Sequence, residues 1–217
     1  MKKLVLFDLD GTLIDTIEDL GAAVDHALGL RGLPLHTVEE YRRMVGHGVR
    51  NLVTRALPEP LQSDEAFIDA CLADFKAFYS ANIDVRTRPY PGIQELLSEL
   101  QGRGVRLAVA SNKFQAGTER LIGEFFPDVE FCSVLGNRDG FPLKPSPEIV
   151  GEVLAAAGVS RSDAVMVGDS PTDMRTAANG GIDAIAVTWG YRTAADLAGH
   201  RLVRTVGELR SALLPGI

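Results

Sequence analysis

Cysteine is scarce in this chain, with two residues, Cys71 and Cys132, among 217. They form no Cys-x-x-Cys pair and no metal-ligand spacing, which excludes a disulfide-built scaffold and a structural zinc site. They are expected to be two buried or partly buried thiols of a reducing compartment. A basic excess is lacking too. Lysine and arginine number 22 against 29 aspartates and glutamates, a net charge of −7. A nucleic-acid footprint needs clustered basic surface and an anionic membrane attracts polybasic segments, so neither is an expected partner. No apolar stretch is long enough to span a bilayer. The opening MKKLVLF imitates a secretion signal, but its apolar run is short and ends in aspartates. A cytoplasmic protein is the expectation. Internal repeats and low-complexity segments are also missing.

What is present is an alternation. Short apolar runs recur at 3–7, 105–110, 131–135, 164–168 and 183–187, separated by stretches of helical period. Continuous apolar runs of this length suit strands covered on both faces, as in a parallel sheet. The expected fold class is α/β, a Rossmann-like parallel sheet core with helices on both faces. One region breaks the pattern. Residues 18–82 read as helices without a strand, and Thr37 with Glu40 occupies capping-box positions. This predicts a small helical cap domain, 16–85, inserted into an α/β core of 1–15 and 86–217. Hinges are expected near residues 14–17 and 86–92. Ser146-Pro147 and Ser170-Pro171 read as helix starts with an N-cap serine, and Thr205 with Glu208 as a further capping box.

Ligands of open parallel sheets bind beyond the carboxyl ends of the strands. The residues just past each run are polar. Asp8, Asp10, Gly11 and Thr12 follow the first; Ser111, Asn112 and Lys113 follow the second; Asp169, Ser170 and Asp173 follow the run at 164–168. Lys144 precedes the helix expected near Ser146. Four carboxylates brought to one edge repel one another unless a hard cation joins them, and Mg²⁺ takes oxygen ligands together with substrate phosphate. Asp8, Asp10, Asp169 and Asp173 are therefore the candidate metal residues. A hydroxyl, an amide and a lysine suit the oxygens of a transferring phosphoryl group. Asp8, at the strand end, is better fixed for nucleophilic attack. Asp10, nearer the loop, is better placed to move a proton. Gly11 permits close backbone approach. Each later motif is weak alone: an SN after a strand is usually a turn, and GDSPTD also reads as an N-capped helix start.

Together, DLDGTLIDT at 8–16, Ser111-Asn112, Lys144 in LKPSPE and VGDSPTDM at 167–174 resemble the four motifs of the haloacid dehalogenase superfamily, in its order. The helical insert is similar to the small cap of one large subgroup. The resemblance implies that Asp8 forms an aspartyl-phosphate and contributes to Mg²⁺ binding. It implies that Asp10 protonates the leaving group and then activates water, its backbone carbonyl facing the metal. It implies phosphoryl holding by Ser111 and Lys144, and metal ligation by Asp169. It also implies that Asp173 acts through water or orients Lys144. The second aspartate favours phosphate chemistry over dehalogenation. Within the superfamily DLGAAVDHAL, VGHGVRNLV and VTWGY are similar to phosphoglycolate phosphatases. This implies hydrolysis of a small phosphorylated metabolite, 2-phosphoglycolate first. A β-phosphoglucomutase-like phosphomutase, a pyrophosphatase and a non-catalytic phosphate-binding regulator are the alternatives. Gly11, Thr12, Asn112 and, in the insert, His47 and Arg50 are the candidate substrate contacts. Lys113 reads equally as a phosphate-site or a surface residue. Trp189 and Tyr191 read as core-edge packing. A monomer and a homodimer are both compatible with the sequence.

Overall fold

The computed structural model describes residues 1–214. In chain order, β1 (Leu4–Phe7) and β2 (Ile14–Asp15) precede four helices: α1 (Ile17–Gly29), α2 (Val38–Met44), α3 (Val49–Ala56) and α4 (Glu65–Ala81). After β3 (Arg88–Pro89) the alternation begins: α5 (Ile93–Gly102), β4 (Arg106–Phe114), α6 (Gln115–Phe125) and β5 (Phe131–Asn137). It continues through α7 (Glu148–Ala157), β6 (Ala164–Gly168), α8 (Pro171–Gly180), β7 (Asp183–Val187), β8 (Leu202–Val203) and α9 (Val206–Leu213). The chain divides into two compact units, one of Met1–Asp15 with the chain from Pro89 onward, the other Thr16–Arg88.

The first unit is built on a six-stranded sheet in the order β5-β4-β1-β6-β7-β8. Every pairing in it is parallel. Side chains alternate across a strand. Leu4 and Leu6 of β1 pack with Ala108, Ala110, Ala164 and Met166 against Ile149, Val150 and Val153 of α7 and Ala177 of α8. Val5 and Phe7 point the other way and are buried as well. A strand covered on both faces must be apolar at every position, and this is why LVLF does not alternate. Two short strands, β2 and β3, form a separate pair. At two residues each, they are too short to leave a periodic signal in the sequence.

β1 lies between β4 and β6, in register with Arg106–Val109 on one side and Ala164–Val167 on the other. The residues that follow three adjacent strands therefore emerge side by side. β4 runs further than its apolar core suggests. Its pairing with β5 shifts register between Ala110 and Phe114, so Ser111, Asn112 and Lys113 belong to an irregular strand end rather than to a turn. The chain gains a last pairing, Phe114 with Asn137, by continuing.

Local signals are mostly used as read. The Thr37–Glu40 and Ser170–Asp173 boxes are both formed reciprocally. At α9, Thr205 accepts from the Glu208 N–H, but the Glu208 carboxylate accepts from Arg204 N–H instead, leaving half a box. Ser146 does not cap α7. Pro147 stands at the N-cap, and Ser146 Oγ donates to the Glu148 carboxylate. The helix starts one residue later than the serine signal implies, so Ser146 lies outside the cap position that Ser170 holds at α8. Cys71 is fully buried, whereas Cys132 is exposed, because β5 is an edge strand only half covered.

The second unit holds α1 to α4 around Tyr41, Phe75, Tyr79 and Cys71, each at most 1% exposed. Its return segment is tied down by one carboxylate. Asp19, in the first turn of α1, accepts from Arg86 N–H at 2.9 Å, Thr87 N–H at 2.8 Å and Thr87 Oγ1 at 2.8 Å. Hydrogen bonds to a charged group are worth more than neutral ones, and their loss leaves buried donors unsatisfied. Asp19→Ala is expected to destabilise this unit by about 2–3 kcal/mol. Urea unfolding followed by circular dichroism checks this, and an unchanged midpoint would show that the contact is dispensable.

Candidate active site

Lys144 is the hub of the carboxyl edge of the sheet. Its ammonium donates to Asp8 Oδ1 at 2.8 Å and to Asp173 Oδ1 at 2.7 Å. Asp8 follows β1, Asp173 lies in the first turn of α8, and the lysine comes from the segment before α7, through a cis Lys144–Pro145 peptide. The Lys144 backbone is clamped in turn. Its N–H donates to Asn112 Oδ1 at 2.8 Å, and its carbonyl accepts from Asn112 Nδ2 at 3.1 Å. Both ends of the Asn112 carboxamide take part in this clamp. Asn112, expected as a substrate contact, here positions the Lys144 backbone.

Asp169 completes the cluster. One oxygen from each of Asp8, Asp169 and Asp173 lies within 4.8 Å of the others, and all three residues are buried. Backbone close packing makes room for them. Gly11, at φ +88°, has no side chain because a Cβ there would stand 2.5 Å from Asp169 Oδ2. A Cβ on Gly190 would stand 2.3 Å from the same oxygen, and one on Gly168 2.4 Å from Asp173 Cβ. Asp169 Oδ2 is held by the Tyr191 N–H at 2.6 Å. Asp173 Oδ2 accepts from Ser170 N–H and Oγ, so the capping box that starts α8 also orients the carboxylate that faces Lys144.

Charge does not balance here. Three carboxylates and one ammonium leave two formal negative charges in a buried space. Burial raises the Asp8 carboxyl, and the neighbouring Asp173 raises it further, to about 7. Burial, with Asp173 and Asp8 adding to it, holds Asp169 well above the ordinary carboxylate range. Burial opposes the charge on Lys144, yet Asp173 and Asp8 outweigh it and the lysine is raised. Such a deficit is relieved by a cation of charge two, and an all-oxygen donor set suits a hard one. The residues present fit a divalent metal.

The other residues singled out by the sequence fall differently. Ser111 is buried and its Oγ accepts from Lys113 N–H at 3.2 Å. The Asp10 carboxylate stands outside the three-aspartate cluster and pairs instead with Lys113 Nζ at 3.0 Å. Asp10, expected among the metal residues, thus has its side chain at Lys113, which leaves its backbone carbonyl out of account. The Thr12 hydroxyl is fully buried without a hydrogen-bond partner among the described residues, while the Thr12 carbonyl accepts from the Trp189 indole at 3.1 Å. His47 and Arg50 belong to the second unit. His47 is exposed between two positive-φ glycines, Gly46 and Gly48. The Arg50 guanidinium is engaged by Asp69 and Glu65 of α4.

Residues 5–187 match the model of the haloacid dehalogenase-like hydrolases. The chain belongs to that family. It is 38% identical to a phosphoglycolate phosphatase of Mesorhizobium japonicum over 88% of this chain and 84% of that relative. It is 35% identical to phosphoglycolate phosphatase 1 of Pseudomonas aeruginosa over 98% of this chain and 79% of the other. Its fold superposes on that of a protein assigned as a phosphoglycolate phosphatase from Lactobacillus delbrueckii subsp. bulgaricus, with a TM-score of 0.93, 34% identity and full coverage of both chains. It also resembles CbbY of Rhodobacter sphaeroides bound to phosphate, with a TM-score of 0.77, 28% identity and 96% coverage of each. No helix among the described residues is long and apolar enough to cross a membrane.

In this haloacid dehalogenase-like hydrolase three site residues escaped sequence reasoning. Gly168 and Gly190 are needed because carboxylates from elsewhere fill the space of their side chains, and no local pattern records that. Tyr191 acts through its backbone N–H on Asp169, and its hydroxyl donates to Asp15 at 3.2 Å. The WGY at 189–191 was the available signal, an aromatic pair flanking a glycine beyond the last long strand. Gly190→Ala is expected to displace Asp169 and weaken divalent-cation binding at least ~10-fold while the fold survives. Calorimetric titration beside a far-ultraviolet spectrum measures both, and wild-type affinity in the variant would contradict the close approach.

Proposed function

We propose that this chain is a Mg²⁺-dependent phosphomonoester hydrolase working through an aspartyl-phosphate on a small phosphorylated metabolite, with 2-phosphoglycolate as the leading substrate. The observation that carries the reading is the division of labour among the carboxylates. Asp8 sits in the Lys144-centred cluster, while Asp10, two residues on, is held apart by Lys113. A nucleophile and a proton carrier need such separate environments. The names of the relatives support the substrate.

In this reading an Asp8 oxygen attacks phosphorus and the bond from phosphorus to the leaving oxygen breaks, with Asp10 giving that oxygen its proton. Water then attacks the aspartyl-phosphate, Asp10 takes a proton from it, and the Asp8–phosphorus bond breaks to release inorganic phosphate. Ser111 and Lys144 hold phosphoryl oxygens, where negative charge must be met. Mg²⁺ bound by Asp8 and Asp169, with Asp173 orienting Lys144, would supply charge neutralisation for a dianionic phosphate in a site that is itself anionic. The helical insert is proposed to act as the cap that admits the substrate. A second reading, a sugar bisphosphate as substrate, is favoured by the likeness to CbbY, a variant of which was solved with xylulose-1,5-bisphosphate.

Phosphate release from 2-phosphoglycolate, xylulose-1,5-bisphosphate, hexose phosphates, nucleotides and pyrophosphate tests this, with and without Mg²⁺. Preference for phosphoglycolate is expected, lost with chelator and reduced at least ~10⁴-fold in Asp8→Asn. Turnover that survives in Asp8→Asn would refute the nucleophile. Phosphate moved between sugar carbons without release would point to a mutase, and no turnover of any ester to a phosphate-binding regulator.

The metal carries a pH signature. Asp8 holds its proton more tightly folded, at about 7, than its ordinary 3.8. Its contribution to stability is full below about pH 4 and is lost as pH rises through 7. Asp169 shifts in the same direction. The metal-free chain thus bears the repulsion at neutral pH, and a cation relieves it there. The rise in Tm on adding Mg²⁺ is expected to be larger at pH 7.5 than at pH 5.5, measured by scanning calorimetry against a chelator control. An equal rise at both values would disconnect the metal from these carboxylates.

A further inference from the structure

Lys113 is a lysine whose side chain is only 1% exposed. A lysine is rarely buried without a partner, because its charge loses hydration. Its ammonium lies 3.0 Å from Asp10 Oδ1. The neighbouring Ser111, Asn112 and Lys113 are all buried at the irregular end of β4. In a regular strand they would alternate between faces, but register shifts re-aim side chains, often beside active sites. The result is two consecutive residues with two different tasks. Asn112 clamps the backbone of Lys144, which serves Asp8 and Asp173, and Lys113 engages Asp10.

We propose that Lys113 is a positioning residue for Asp10. It fixes the Asp10 carboxyl in one orientation beside the Lys144-centred cluster; Asp10 takes up a proton from solvent before attack and passes it to the leaving oxygen as the ester bond breaks, the lysine staying charged. This rests on the reading of Asp10 as the acid of the first step.

Leaving-group dependence separates this role from a merely structural one. An alkyl alcohol departs from phosphorus only if protonated, whereas p-nitrophenolate departs without help. The quantity kcat/KM covers the steps through leaving-group departure and is blind to the later hydrolysis of the aspartyl-phosphate. It is to be measured for p-nitrophenyl phosphate and for the alkyl ester that the wild-type enzyme turns over fastest, in the Mg²⁺-loaded protein. Lys113→Met is expected to lose about 10- to 100-fold on the alkyl ester and under about 3-fold on the aryl ester, with Lys113→Arg recovering most of the loss. Asp10→Asn, as reference, is expected to discriminate the same way and more strongly. Equal losses on both esters in Lys113→Met, or no loss on either, would overturn the proposal if Asp10→Asn discriminates. If Asp10→Asn itself shows no discrimination, the acid reading of Asp10 fails and the proposal with it. Lys113→Gln carries the same comparison should the methionine variant not fold.

Discussion

A buried cluster of three carboxyl groups around one ammonium, at the end of a parallel sheet, dominates this structure. Asp8 from the end of β1 and Asp169 and Asp173 from around the start of α8 converge, with Lys144 paired to Asp8 and Asp173. Repulsion of that kind, in a space where water is scarce, would drive the loops apart if the scaffold let them move. The scaffold does not. Gly11, Gly168 and Gly190 bring backbone against the carboxylates, the α8 capping box grips Asp173, and Tyr191 grips Asp169. The site is an acidic cradle that could hold a metal ion.

The sheet makes this possible by its order. β1 sits between β4 and β6, so the residues after three neighbouring strands share one edge. That arrangement requires β1 to be covered on both faces, which explains its unbroken apolar sequence. The irregular end of β4 then does two things at once. Asn112 fixes the lysine of the cluster, and Lys113 removes the fourth aspartate from it. Two carboxylates separated by one residue thus come to occupy different electrostatic surroundings.

Much of this was legible in the residues. LVLF with its aspartates, Lys144 and the GDxxxD segment read as one phosphate and metal site because their types are chemically complementary wherever an α/β edge gathers them. The roles of Asn112 and Lys113 were not legible. An amide and a lysine after a strand are compatible with a turn, a surface or a ligand contact, and only their partners at positions 144 and 10 decide among these. Ser146 misled for a local reason, since a serine before a proline looks like a cap although the proline takes that place. Cys132 misled for a non-local one, since its exposure depends on β5 lying at the edge of the sheet.

By itself the sequence determined the α/β class, the helical insert and which polar groups follow the strands, because periodicity and residue type act locally along the chain. Tertiary structure alone decided which carboxylates share a lysine, which one is set apart, and which glycines must stay bare. Those outcomes depend on distances between residues far apart in sequence, 136 positions in the case of Lys144 and Asp8. Coulomb energy and steric exclusion are set by such distances and not by spacing along the chain.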